Sequence, residues 1–288
     1  MNDYVIITDS ACDLSAEMTD ELGIHVIPLS VIVNGQSYKI YPDERALKTV
    51  DYYNMLREGV QGKTSAANVF DFEEAMEPYL REGRNILYLA FSSALSGTYN
   101  ASVIAAEELS EKYPDRKIFT TDTLCASMGQ GLLVYLAAKK KAEGAPIDEV
   151  YEFVENNKLH LCHWFTVDDL NHLKRGGRVS AVAATFGTIL NIKPVLHVDN
   201  EGRLIPVEKV RGRKASISGL IKEMENRIID SSIAFISHGD CEEEAMALAA
   251  AVKERFGIKE VRVNYIGAVI GTHSGPGTVA LFFLGRER

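Results

Sequence analysis

The chain has 288 residues, 46% of them hydrophobic and 25% charged, enough for one large domain or two small ones with a sizeable core. Its 31 basic and 40 acidic residues give a net charge of −9, which argues against general nucleic-acid binding, because neutralising phosphates needs a basic surface. There is no basic stretch ahead of the short apolar run in MNDYVIITDS, no run near the roughly 20 apolar residues that span a bilayer, and no CxxC pair among Cys12, Cys125, Cys162 and Cys241. A cytoplasmic protein with free thiols is expected, with no signal peptide, membrane span, zinc cage or disulfide framework.

In chain order, YVIIT (4–8), HVIPLSVIV (25–33), NILYLAF (85–91) and KIFTT (117–121) predict strands. Helical spacing over 15–22, 71–82, 98–112 and 127–143 lies between and after them. Strands alternating with helices predict a mostly parallel sheet with helices on its faces. Asn34-Gly35 followed by QSYKI predicts an antiparallel hairpin. The second half reads differently. LHLCHWFTV (159–167) leads to a short polar helix and Gly176-Gly177, and KPVLHV and LIPVEKV flank DNEG as a second hairpin. A helix over 213–229, the strand SIAFIS, a helix over 241–256 and the strand VRVNYIG follow. This patterning predicts two domains, an α/β domain over 1–158 and an α+β domain over 159–288.

Three first-half strands run into hydroxyl-rich loops, TDSACDLS, SSALSGTYNAS and TDTLCASMGQG. In a parallel sheet these loops share the edge where ligands bind. Each loop alone is explained by helix capping. The second holds more hydroxyls than a cap needs, around a glycine, Gly97, that would let backbone approach a ligand. None of the three carries Lys or Arg, so neutral donors suit a single negative charge such as a carboxylate better than a phosphate, unless a distant arginine folds over.

Other chemistries find little support. Gly62-Lys63-Thr64 resembles the end of a phosphate-binding loop, but Arg57 stands where its first glycine belongs and DYYNMLREG reads as helix. There is no GxGxxG, GxSxG or HExxH. His160 and His163 project to opposite faces of a strand and are read as structural. Near the C-terminus, GTHSGPG (271–277) places His273 among three glycines. The glycines are read as letting backbone press on a ligand head group, with Pro276 fixing the turn. A neutral His273 can donate to a carboxylate and a charged one can also pair with it; the plain alternative is a histidine capping its own loop.

TDSACDL (8–14), KTSAAN (63–68), FSSALSGTYNASVIA (91–105), TDTLCASMGQG (121–131), LKRGGRVS (173–180) and GTHSGPG (271–277) together resemble the DegV family, in the family's order and over essentially the whole chain. The resemblance implies a bacterial fatty-acid-binding protein of two α/β domains with the acyl chain between them. It implies no cofactor besides the bound fatty acid and no catalysis by the chain itself. Some members present the fatty acid's carboxylate to a separate ATP-using fatty acid kinase subunit and carry the acyl phosphate to membrane acyltransferases, which implies at most transient membrane contact. By the same resemblance, Thr64, Ser65, Ser96, Gly97, Thr98 and His273 hold the carboxylate, and Arg178 serves kinase docking or the acyl phosphate. The family's TSQPS is here TSAAN, and Asn68 is a candidate replacement donor. VAATFGTILNI (182–192), with Phe186, Ile189 and Leu190, is a candidate tunnel wall, against the alternative of an ordinary core helix. Two other readings stay open: an enzyme for a small hydroxylated or keto substrate using His273 with Asp9 or Asp122 as orienter, and a carrier of another lipid.

Overall fold

A computed structural model of the protein describes residues 3–179 and 191–288. β1 (Tyr4–Asp9), β2 (Ile24–Ile27), β6 (Asn85–Ala90) and β7 (Ile118–Asp122) form an all-parallel sheet in the order β2-β1-β6-β7. β1 and β6 are buried along their whole lengths, as central strands covered on both faces must be. The helices α1 (Ala16–Leu22), α3 (Val69–Arg81), α4 (Thr98–Lys112), α5 (Met128–Ala142) and α6 (Ile147–Asn157) accompany it.

The expected single strand over 25–33 is two strands. Pro28, which has no N–H for a ladder, falls between them. β2 stays in the parallel sheet. β3 (Ser30–Val33) turns into a three-stranded antiparallel sheet with β4 (Gln36–Lys39) and β5 (Lys63–Ser65). The β3–β4 hairpin forms as expected, with Asn34 and Gly35 at φ 50° and 77°. α2 (Thr49–Arg57) precedes β5, so the false phosphate-loop signal lies on a helix and a short strand.

A six-stranded mixed sheet takes its strands from the rest of the chain. Its order is β10 (Leu204–Arg211), β9 (Ile192–Val198), β8 (Leu161–Thr166), β13 (Val279–Leu284), β11 (Ile233–His238), β12 (Glu260–Tyr265). α7 (Leu170–Arg175), α8 (Arg213–Arg227), α9 (Glu242–Phe256) and α10 (Ala268–Ser274) complete the described elements. α10 corrects the reading of 271–277 as a loop: His273 sits on its last turn, and only Gly275 onward is irregular.

α5 lies between the two large sheets, against β1 and β6 on one side and β8, β11 and β13 on the other. It is buried around nearly its whole circumference, with Leu132, Leu133 and Val134 inaccessible. Burying each such side chain contributes roughly 2 kcal/mol. Two glycines of the MGQG run make this approach possible. A Cβ on Gly129 would stand 2.1 Å from the His163 ring, and one on Gly131 would stand 2.6 Å from the Cys12 carbonyl oxygen.

Arg288 closes the segment between β7 and α5. Its buried guanidinium donates to the carbonyl oxygens of Thr123, Leu124, Lys158, Leu161 and Asp199, and to the Cys125 sulfur. Replacing Arg288 with Met leaves these buried acceptors unpaired. A loss of about 3 kcal/mol is expected, read as a lower urea midpoint at unchanged slope.

Candidate functional site

The three hydroxyl-rich loops do lie on one edge of the parallel sheet, but most of their polar atoms are engaged within the protein. The Asp9 carboxylate accepts from the Ala11 and Phe91 amides and the Tyr88 hydroxyl. Ser10 Oγ accepts the Leu29 amide, and Asp122 Oδ1 accepts the Ser93 and Leu124 amides. Ser92 Oγ donates to the Gly202 carbonyl. Asp9 and Asp122 are thus committed to backbone, and neither serves as the orienter of His273. The first loop contributes no residue to the cavity described next.

That cavity, of about 170 Å³, lies between the sheet edge and the six-stranded sheet. Its walls are mostly apolar and come from both halves of the chain, including Leu29, Phe91 and Leu95 from one and Phe165, Val269 and Phe282 from the other. Phe165 and Phe282 are placed by the β8–β13 ladder, which pairs Phe165 with Ala280 and His163 with Phe282. Phe186, Ile189 and Leu190 lie outside the described residues.

Polar groups gather on part of this wall. Thr64 is placed by β5, where it pairs with Val31, and its Oγ1 lies 2.8 Å from His273 Nε2. Ser65 is exposed and also lines the cavity. Ser96 Oγ lies 2.8 Å from Thr98 Oγ1, and Thr98 is buried behind it. Gly97 is the N-cap of α4, and a Cβ there would meet no described protein atom within 4 Å. Its missing side chain leaves space beside the cavity, with an ordinary φ of −74°. Arg178 folds over this end, its Nε donating to the Leu95 carbonyl at 3.2 Å and its Nη1 to the Gly176 carbonyl. The structure therefore brings Thr64, Ser65, Ser96, Gly97, His273 and Arg178 to one cavity, with Thr98 buttressing Ser96. Asn68 is not among them: its side chain caps α3 by accepting the Asp71 amide.

The glycines of GTHSGPG work otherwise than expected. A Cβ on Gly271 would meet the Tyr53 hydroxyl, one on Gly275 the His172 ring and one on Gly277 the Asp168 carboxylate, all within 2.6 Å. They admit protein side chains, and none lines the cavity. The glycine that seats the histidine is Gly176, where a Cβ would stand 2.2 Å from His273 Nδ1. Polar cavity residues that escaped the sequence reading include Ser274 beside His273, Thr278, and Ser127 just before α5, and His163, read as structural, lines the cavity as well.

Burial, and then the Arg178 charge, hold the His273 imidazole down to about 4, so it is neutral at pH 7. Its Nδ1 is buried without a partner among the described residues, as is the Ser274 hydroxyl. A second, polar cavity of about 540 Å³ adjoins the first. Thr64, Arg178 and His273 line both, and Lys63, His172 and Arg175 line the second alone.

Three sheets and their helices make a mixed α/β protein whose apolar cavity ends in neutral donors and one arginine. The family comparison agrees with that class. Residues 3–286 match the model described as "Uncharacterised protein, DegV family", and the chain belongs to the DegV family. It is 50% identical over 287 residues to a DegV domain-containing protein of Clostridium perfringens, covering 99% of this chain and 98% of that one. Among solved structures it is similar to a DegV family protein of Thermus thermophilus described by its fatty acid binding, with a TM-score of 0.88, 30% identity and coverage of 98% and 99% of the two chains. It is also similar to the fatty-acid-binding DegV of Bacillus subtilis, with a TM-score of 0.85, 27% identity and coverage of 99% and 100%. Among the described residues no helix is long and apolar enough to cross a membrane.

Two outcomes test the geometry. Gly176→Ala forces the His273 ring aside, so ligand affinity should fall at least about tenfold, the equivalent of ~1.4 kcal/mol, by titration calorimetry. The depressed His273 value also sets a pH dependence. Between about 4 and the ordinary 6.5 the unfolded chain binds the proton and the folded protein does not, so the contribution is full above 6.5 and is lost as pH falls toward 4. On going from pH 7 to pH 5, the thermal midpoint of the unliganded protein should drop more than that of His273→Gln.

Proposed function

We propose that the protein is a carrier for long-chain fatty acids, with the tail in the apolar cavity and the carboxylate at Thr64, Ser65, Ser96, Gly97 and His273, Thr98 holding Ser96 in place from behind. The observation that carries this reading is the division of one cavity into a large apolar wall and one polar end capped by Arg178. The fatty-acid-binding structures to which the chain is similar support it. Each buried CH₂ contributes about 0.8 kcal/mol, so a palmitoyl chain offers on the order of 11 kcal/mol of gross driving force. A head-group hydrogen bond adds about 1 kcal/mol net. The tail sets affinity, and the polar end sets orientation.

The carrier works as one part of a kinase system in this reading. The fatty acid's carboxylate faces the polar second cavity through Thr64, His273 and Arg178, which line both cavities, and a separate ATP-using subunit phosphorylates it there. Arg178 serves that step or the docking of the kinase. The protein is cytoplasmic and noncatalytic in this exchange, and 1–158 and 159–288 act as two domains closing on the ligand.

Titration with palmitate tests carriage: saturable one-to-one binding is expected, and Thr64→Val should weaken it about five- to tenfold, matching the loss of one hydrogen bond. No uptake of palmitate or oleate by a delipidated, folded protein contradicts the proposal. For Arg178→Ala, fatty acid binding should persist while acyl phosphate formation with the kinase subunit is lost. Equal loss of binding would make Arg178 a carboxylate partner instead.

A further inference from the structure

The segment between β7 and α5 holds a feature that carriage leaves unused. Ser127 immediately precedes α5 and lines the apolar cavity. Its backbone has φ 53° and ψ −148°, a conformation that costs a side-chain-bearing residue on the order of 1–3 kcal/mol and that clusters at functional sites. β7 ends at Asp122, and residues 123–126 lead to the strained serine at the head of α5, an order of parallel strand, serine and helix shared with nucleophiles at a sheet edge, here with a longer connection. A search for GxSxG misses it, because Cys125 stands where the first glycine would be, while Gly129 keeps the second.

The hydroxyl is oriented for proton loss. Ser127 Oγ donates to Asp13 Oδ2 at 2.5 Å, which leaves Ser237 Oγ, at 3.0 Å, to donate to Ser127. Asp13 Oδ1 is fixed by the Gly267 amide at 3.0 Å. The carboxyl is buried and has neutral donors only, and burial pushes it up to about 7, close to the working pH of a general base. A donor for a developing oxyanion is present as well: the Ser274 hydroxyl, 5% exposed and without a partner among the described residues, lines the same cavity, whereas the Gly129, Gln130 and Gly131 amides of α5 are already bonded to the Ala126 and Ser127 carbonyls.

We propose that Ser127 and Asp13 form a serine–aspartate dyad that cleaves activated acyl esters or thioesters whose chain enters this cavity, an acyl-transfer activity beyond carriage. A lone pair of Ser127 Oγ forms a C–O bond to the acyl carbon as its proton passes to Asp13. The C–S or C–O bond to the leaving group breaks, and the leaving thiolate or alkoxide takes that proton. Water then adds to the acyl-serine, giving its proton to Asp13. The acyl–Oγ bond breaks, Ser127 regains the proton, and a free fatty acid is left in the cavity.

The test is labelling of the full chain with a decyl fluorophosphonate, read by intact mass and peptide mapping, with palmitate uptake measured on the same sample. One adduct per chain on Ser127 is expected. Ser127→Gly suits the positive φ and preserves the fold, and it should abolish the adduct. Asp13→Asn should slow labelling at least about tenfold. An adduct elsewhere, an Asp13→Asn rate equal to that of the parent, or no adduct on a protein that takes up palmitate overturns the dyad and leaves carriage standing. Labelling of Ser127 without palmitate uptake supports the dyad and counts against the carrier.

Discussion

The hydrogen bond between Thr64 and His273 joins positions 209 residues apart, and the polar end of the cavity depends on it. It forms only because three separate structures meet. The small antiparallel sheet holds Thr64 through its pairing with Val31. α10 is anchored at its start by the Gly267 amide on Asp13, and along its length by the Tyr52 hydroxyl 2.7 Å from Thr272 Oγ1. Gly176, with no side chain, makes room for the imidazole. Loosening any of these parts separates the groups that a single carboxylate would have to bridge.

The same geometry decides the charge of the site. A histidine this buried beside an arginine is neutral, so Arg178 is the only cation among the described residues lining the apolar cavity. That matches the loop chemistry, in which neutral hydroxyls and amides dominate. It also leaves Lys63 and Arg175 in the adjoining polar space, outside the apolar one. The apolar cavity thus holds one cation at one end, and the other two lie in the polar cavity beside it.

Much of this was legible in the sequence. Period-2 and period-3.6 patterning placed most strands and helices, and the two hairpins were marked by Asn34-Gly35 and DNEG. The fold class follows from that order. What failed did so for local reasons. Pro28 splits a continuous apolar run into strands of two sheets, which hydropathy alone does not reveal. The glycines of 271–277 signal close approach, but a sequence does not say whether the approaching group is a ligand or Tyr53, His172 and Asp168. Hydroxyl-rich loops look alike whether they face a ligand or, like Ser10 and Ser92, backbone groups. Ser127 was invisible because strain at a single residue is a property of its φ and ψ.

A fatty acid carried in this cavity should survive purification, which mass spectrometry of the protein as isolated, first native and then denatured with lipid extraction, reads out. One long-chain fatty acid per chain, released on denaturation, is expected. An unliganded mass, with no uptake of added palmitate or oleate, would contradict it.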